Sequence, residues 1–276
     1  MPRAPAADRP LVVVKWGGSL ITRKREVERS RPKVIARLAR EVAACRDVRI
    51  VLLHGAGSFG HPGARRFGLA RPPPATGAPD RVRGAAIVAA EVRRLHLEVL
   101  RALVAAGAAP QSVPVPQIAS NREGGLVAID AGPFEATLER GALPVSFGDV
   151  VPDDAWGYSI LSADTIAVAL ASILRPARVV FATDVPGVLT PDGNGRPTVV
   201  PELTEAVVAG LAPPPGATDV TGGIRGKAAA ALAIARHGVD AGIISGLSDG
   251  ALSRAIRGES VHGSWASAQP AAGTGP

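Results

Sequence analysis

The chain is poor in aromatic residues, which make up 3% of its 276 positions, and it has a single cysteine. Nor does it contain an uninterrupted run of about eighteen apolar residues. Each shortage removes a class of protein. One cysteine, Cys45, leaves no partner for an internal disulfide, so an oxidising compartment is not implied. Within the apolar stretch 42–45 a lone thiol is ordinarily a small buried hydrophobe and not a reactive group. Residues 1–10 lack the apolar centre of a signal peptide, which makes the cytoplasm the expected location and leaves no membrane partner expected. Also missing is a Lys/Arg tract with interleaved aromatics. The formal net charge of +7 comes mostly from arginines scattered among acids, a distribution that argues against a nucleic-acid partner and suits clefts for small anionic substrates.

What the chain does have is aliphatic bulk. Hydrophobic residues reach 46%, and with so few aromatics the core must be built from Ala, Val, Leu and Ile, which suits helices packed on parallel strands. Short apolar runs alternate with longer helical patterns, the arrangement of βαβ units in an α/β fold with a mostly parallel sheet. Strands are expected at 11–14, 48–53, 114–118, 126–128, 144–147 and 178–182, with the final one at 241–244. Helices are expected at 32–44, 81–106, 163–173, 228–237 and 249–257, the first of them marked by a proline in its opening turn. Residues 62–79, dense in Pro, Gly and Arg, read as an irregular segment of the kind that serves as a lid. Without a repeat or a linker, a single domain over 11–266 is expected between frayed tails at 1–10 and 267–276.

Four segments fall where strands of such a sheet end, the edge at which ligands bind. Lys15-Trp16-Gly17-Gly18-Ser19 follows the first strand: two glycines let backbone N–H groups approach a phosphate, and the lysine supplies a point charge. It is not a Walker A loop, since the spacing and the trailing Lys-Ser/Thr pair are missing. His54-Gly55-Ala56-Gly57-Ser58-Phe59-Gly60-His61 follows the second strand and forms a second anion nest, with His61 as a donor at its far end; His54 reads as structural. Gly148-Asp149 follows the strand at 144–147, and Ser162-Ala163-Asp164 opens a helix, where Ser162 or Asp164 is also a natural cap. Thr183-Asp184-Val185-Pro186-Gly187-Val188 and the segment from Asp219 through Gly222 and Gly223 to Lys227 suit a nucleotide lying across the sheet edge.

Taken in order, these segments resemble the amino acid kinase family, and the octapeptide ending in His61 resembles its isopentenyl phosphate kinase branch. The likeness runs over about residues 11–244. It implies a three-layer αβα sandwich around a mostly parallel central sheet, with an acceptor-binding lobe over about 11–175 and a nucleotide-binding lobe over about 176–266. ATP and Mg²⁺ are the implied cofactors, with no metal ligand expected from the protein itself, and a homodimer is the implied assembly. By the same resemblance Lys15 and Lys227 hold the β- and γ-phosphates, Lys24 steadies the transferring group, and Gly17, Gly18 and Ser19 line the ATP phosphates with Gly57 nearby. Asp184 opens the adenosine segment, and Gly187 and Gly223 belong to the nucleotide set. Ala56, Gly57, Gly60, His61 and Ala163 face the acceptor phosphate, and Asp164 orients the lysines as the matching acid does in acetylglutamate kinase. One departure stands out: the branch usually has Ser-Gly-Asp-Asp where this chain has Ser162-Ala163-Asp164-Thr165.

The implied reaction is ATP-dependent phosphorylation of isopentenyl phosphate to isopentenyl diphosphate. Two alternatives accompany it: a kinase for another phosphate or phosphonate, as in fosfomycin resistance, and a non-catalytic nucleotide- or ligand-binding member of the fold. An isoprenoid acceptor also needs an apolar slot, for which the helix bearing Ala86, Ile87, Ala90 and Val92 is the candidate.

Overall fold

The computed structural model describes residues 9–23, 26–76, 80–211 and 223–269. It opens on β1 (Leu11–Trp16), rich in valine and buried along its whole length. A glycine turn leads to the single-turn helix α1 (Gly18–Ile21) and then to α2 (Pro32–Ala44), whose first residue is a proline, where a helix has no partner for an N–H. β2 (Arg49–His54) ends in a 3-10 turn at Gly57–Phe59 and the short helix α3 (His61–Arg66). The long α4 (Arg81–Ala105) is capped by Asp80, whose carboxylate accepts from the Arg83 N–H. Next come β3 (Pro110–Ser112), β4 (Ala119–Arg122), β5 (Gly125–Ile129), α5 (Gly132–Glu139), β6 (Leu143–Phe147) and the hairpin of β7 (Asp149–Asp153) with β8 (Gly157–Leu161). The chain then runs through α6 (Ala163–Leu174), β9 (Arg178–Thr183), the hairpin of β10 (Leu189–Pro191) with β11 (Pro197–Val199), α7 (Glu205–Gly210), α8 (Gly223–Arg236), β12 (Asp240–Ser245), α9 (Ala251–Arg257) and β13 (Gly263–Ala266).

Seven strands form the central sheet in the order β13-β12-β9-β1-β2-β6-β3, parallel throughout except for β13. Alternation along each strand divides the core into two layers. Leu11, Val13, Val51, Leu53, Val179, Phe181 and Ile243 pack with residues of α5, α6 and α8, whereas Val12, Val14, Ile50, Leu52, Val180 and Ile244 pack with residues of α2, α4 and α9. This is the expected three-layer sandwich. A smaller sheet of order β5-β4-β7-β8 lies outside the central one. β1 sits between β2 and β9, so the chain leaves its carboxyl end toward one side and returns on the other. That reversal falls at the carboxyl ends of β1, β2 and β9, the place where open α/β sheets bind ligands.

Some expected elements shift. Residues 114–118 contain a 3-10 turn at Val115–Gln117 in place of a strand, because Pro114 and Pro116 cannot donate to a ladder; β3 precedes it and β4 follows it. Residues 62–66 of the segment read as irregular belong to the helix α3, with Pro62 in the first turn where proline is tolerated. The strand at Asp240–Ser245 is not the final one, since β13 adds antiparallel to it. Lys24, Asp219, Gly222 and most of both tails lie outside the described residues.

Candidate active site

Lys15 projects from the end of β1, Asp164 from the first turn of α6 and Lys227 from the first turns of α8, and all three are buried. Lys15 Nζ lies 2.7 Å from Asp164 Oδ1, and Lys227 Nζ lies 3.0 Å from Oδ2 and 3.3 Å from Oδ1. One carboxylate therefore holds two ammonium groups side by side. Burial pushes the Asp164 carboxyl up, but the two ammonium groups and their hydrogen bonds outweigh it and hold the group below the usual carboxylate range. Burial brings the Lys15 ammonium down to about 8; Asp164 opposes that shift and Lys227 reinforces it. With all three ionised, these three side chains together carry one excess positive charge at the carboxyl end of the sheet. Ser162, and not Asp164, is the cap of α6: its hydroxyl accepts from the Thr165 N–H at 3.0 Å and lies 2.9 Å from the Thr165 hydroxyl.

The two glycine loops meet backbone to backbone. A Cβ on Gly18 would lie 2.5 Å from Gly57 N, and one on Gly55 would lie 2.7 Å from Gly18 N, so neither position admits a side chain. Ala56 is right-handed and Gly57 left-handed with φ +52°, the alternation that turns successive N–H groups toward one point. Among the described residues, the N–H groups of Gly18, Ser19, Ala56 and Gly57 have no protein acceptor, while Gly17 N donates to Ala182 O and Gly55 N to Trp16 O. The unpaired donors thus come from both loops. Ser19 Oγ donates to Asp184 Oδ1 at 2.6 Å, tying the β1 loop to the end of β9. A separate cavity of about 480 Å³ opens beside Arg178 and Asp240, at the amino ends of β9 and β12.

His61 is the first residue of α3, four residues beyond the end of the contact between the loops, and is half-buried. Gly60 before it is closely packed, since a Cβ there would lie 2.5 Å from Ala56 Cβ and 3.2 Å from Val92 Cγ2. His54 is structural, as its place in the strand suggested. It stacks on Phe147, with ring centroids 5.4 Å apart, and burial brings its imidazole down to about 4. Its Nδ1 donates to Gly55 O, which leaves Nε2 to accept from His96 Nδ1 at 3.0 Å and His96 Nε2 to accept from the Ser112 hydroxyl at 2.8 Å. Ala163 is buried in the core under α6. Gly223 begins α8, one turn before Lys227. Gly187 is packed against Ser264 and Val199, a contact with β13 that by itself requires glycine.

A family model described as the amino acid kinase family matches residues 10–245, close to the span the motifs marked. The chain belongs to the amino acid kinase family. The isopentenyl phosphate kinase of Thermoplasma acidophilum is 32% identical over 217 residues, covering 79% of this chain and 84% of that one. The isopentenyl phosphate kinase of Methanothermobacter thermautotrophicus is 32% identical over 261 residues, covering 92% and 97%. An X-ray structure of an isopentenyl phosphate kinase superposes with a TM-score of 0.79 at 28% identity, over 92% of this chain and 99% of that one.

For this member of the amino acid kinase family, one contributor escaped sequence reasoning. The Thr22 hydroxyl donates to Gly18 O at 2.7 Å and accepts from the Ser58 N–H at 3.0 Å, and Thr22 stands two positions before Lys24, the only signal that pointed to it. The face of α4 read as an apolar slot is buried only in part. Of the four residues expected to line it, Val92 is buried together with Val88 in a cluster with Leu69, Phe147 and Val150, next to Gly60 and Gly63, Ile87 is half-buried, and Ala86 and Ala90 are exposed.

Proposed function

We propose that this chain transfers the γ-phosphoryl group of ATP to isopentenyl phosphate, forming isopentenyl diphosphate and ADP. The observation that carries the reading is the Lys15–Asp164–Lys227 cluster beside unpaired N–H donors from two loops in backbone contact, which suits two phosphates placed end to end. The relatives' activity points the same way. In the reaction the bond from the γ-phosphorus to the β,γ-bridging oxygen breaks, that oxygen leaves with ADP, and a new bond forms to an oxygen of the acceptor phosphate. A phosphomonoester has a second pKa of about 6, so at neutral pH the attacking oxygen is already largely deprotonated and needs no general base. The protein's task is then positioning and charge stabilisation.

In this reading Lys15 and Lys227 bind the β- and γ-phosphates with Gly17, Gly18, Ser19 and Gly223, Asp184 and Gly187 serve the nucleotide, and Lys24 meets the transferring group. Ala56, Gly57, Gly60, His61 and Ala163 form the acceptor side, with Val88 and Val92 offering the apolar slot. Both Asp164 oxygens are engaged by lysines, so Mg²⁺ would be held through the nucleotide's phosphates, where it neutralises charge on the transferring oxygens. The half before about residue 175 serves the acceptor and the remainder the nucleotide. The protein acts as a cytoplasmic homodimer with small molecules as its partners; among the described residues no helix is long and apolar enough to cross a membrane.

ADP release from Mg-ATP is measured with isopentenyl phosphate, dimethylallyl phosphate, fosfomycin, N-acetylglutamate and UMP. The expected outcome is turnover with isopentenyl phosphate above the others, and a loss of about 100-fold in kcat for His61→Ala with ATP affinity retained. Preference for fosfomycin would move the assignment to a phosphonate acceptor, and no turnover with any acceptor would reduce the chain to a binding protein.

A further inference from the structure

Thr22 lies outside every segment assigned above, yet it is 1% exposed and both functions of its hydroxyl are used. Its Oγ1 donates to the carbonyl of Gly18, in the loop on the nucleotide side, and accepts from the N–H of Ser58, in the loop on the acceptor side. The space it fills exists because residue 57 is glycine: a Cβ there would overlap Thr22 Oγ1. Behind it, residues 28 and 29 are fastened to the same residue of the acceptor loop. Glu28 N donates to Ser58 O at 3.1 Å, Arg29 N donates to Ser58 Oγ at 3.2 Å, and Thr22 pairs with Ser30 in an antiparallel bridge.

We propose that Thr22 is a positioning residue that sets the spacing between the nucleotide-side and acceptor-side N–H groups, and with it the distance between the two reacting phosphates. The proposal rests on the phosphoryl-transfer reading above. Its physical content is that one small buried hydroxyl couples two loops that have no side chains of their own at the contact. Gly18, Gly55 and Gly57 can slide against one another, because glycine backbone carries no interlocking shape. One hydroxyl that donates to a carbonyl of the first loop and accepts an N–H from the second removes that freedom. Phosphoryl transfer needs reacting atoms about 3–3.5 Å apart, and an error of about 1 Å can cost about 100-fold in rate. Each loop would still bind its own phosphate if the two drifted apart, so a lost tether should show in turnover more than in affinity.

The test compares Thr22→Val, which keeps the branched shape and removes the hydroxyl, with Thr22→Ser, which keeps the hydroxyl. Expected for Thr22→Val is a fall in kcat of about 10- to 100-fold, with the Kd of Mg-ATP and that of isopentenyl phosphate, each measured alone by calorimetry, changed less than about threefold. Thr22→Ser should recover most of the rate. In parallel, amide exchange at Ser58 should quicken in Thr22→Val and not in Thr22→Ser, with circular dichroism unchanged. Turnover of Thr22→Val near that of the natural chain overturns the proposal, as does equal impairment of the two variants. Unchanged Ser58 exchange in Thr22→Val overturns it as well, whatever the acceptor. If the natural chain prefers another acceptor in the panel, the acceptor assignment falls, and the ratio between variants measured with that acceptor still decides the role of Thr22.

Discussion

Asp164 accepts two ammonium groups within 3.3 Å while almost wholly buried, and neither lysine would stand the other's presence in the core without it. The arrangement has a pH consequence at Lys15. A lysine brought down to about 8 is mostly charged at pH 7 and mostly neutral at pH 9. Only the charged form attracts polyphosphate, so kcat/KM for ATP should hold level up to about pH 8 and then fall, approaching about tenfold per pH unit. At saturating ATP the bound phosphates favour the charged lysine, so kcat should hold to higher pH than kcat/KM. Initial rates between pH 6.5 and 10 check this, and a kcat/KM that stays flat to pH 10 would remove Lys15 from the phosphate site.

Among the elements, the hairpin β7–β8 and the turn between β4 and β5 are held together by one carboxylate. Asp153 Oδ1 accepts from the N–H groups of Glu123, Ala155 and Trp156, and Oδ2 accepts from Gly124. Burial raises the Asp153 carboxyl, but these backbone donors and Ser159 outweigh it and bring it down to about 2. A depressed carboxyl contributes stability above the ordinary aspartate range and loses it as pH falls toward the folded value. Asp153→Asn should therefore cost about 2 kcal/mol at pH 6, and it should lose less further stability than the natural chain between pH 4 and 2. Thermal melts at pH 6, 4 and 2.5 measure both; an equal acid loss in the two proteins would show that Asp153 does not clamp these turns. Asp149, at the start of β7, behaves oppositely: burial pushes it up to about 6 against the pull of Arg93, whose Nη1 stands 3.0 Å from Oδ2.

For the molecule as a whole, the site joins distant parts of the chain: Lys15 near its start, Asp164 past its middle and Lys227 close to its end. A ligand held by all three ties those parts together. Mg-ATP at about 100 times its Kd should stabilise the fold by about 2.7 kcal/mol, which for a chain of this size is a Tm rise of about 5 °C or more. Differential scanning calorimetry of the natural chain and of Lys15→Ala checks it, with the rise expected to shrink sharply in the variant; no rise in the natural chain would argue against nucleotide at this site. Much of this molecule was legible beforehand. Apolar runs of strand length alternating with helical periods marked the α/β sheet, and Lys15 with the two glycine loops followed strands, where a point charge and glycine N–H groups suit a phosphate, while Asp164 opened a helix. Periodicity could not show β13 or the 3-10 turn after β3, since short edge elements carry too few residues for a pattern and are set by what they pack against. The resemblance assigned Asp164 the task of orienting the lysines, but the choice of Ser162 over Asp164 as the cap was made by three-dimensional proximity, which brought both ammonium groups to that carboxylate. The same holds for Thr22. A hydroxyl has no visible partner in a linear chain, and only the approach of two glycine loops supplied it with both a carbonyl to donate to and an N–H to accept from.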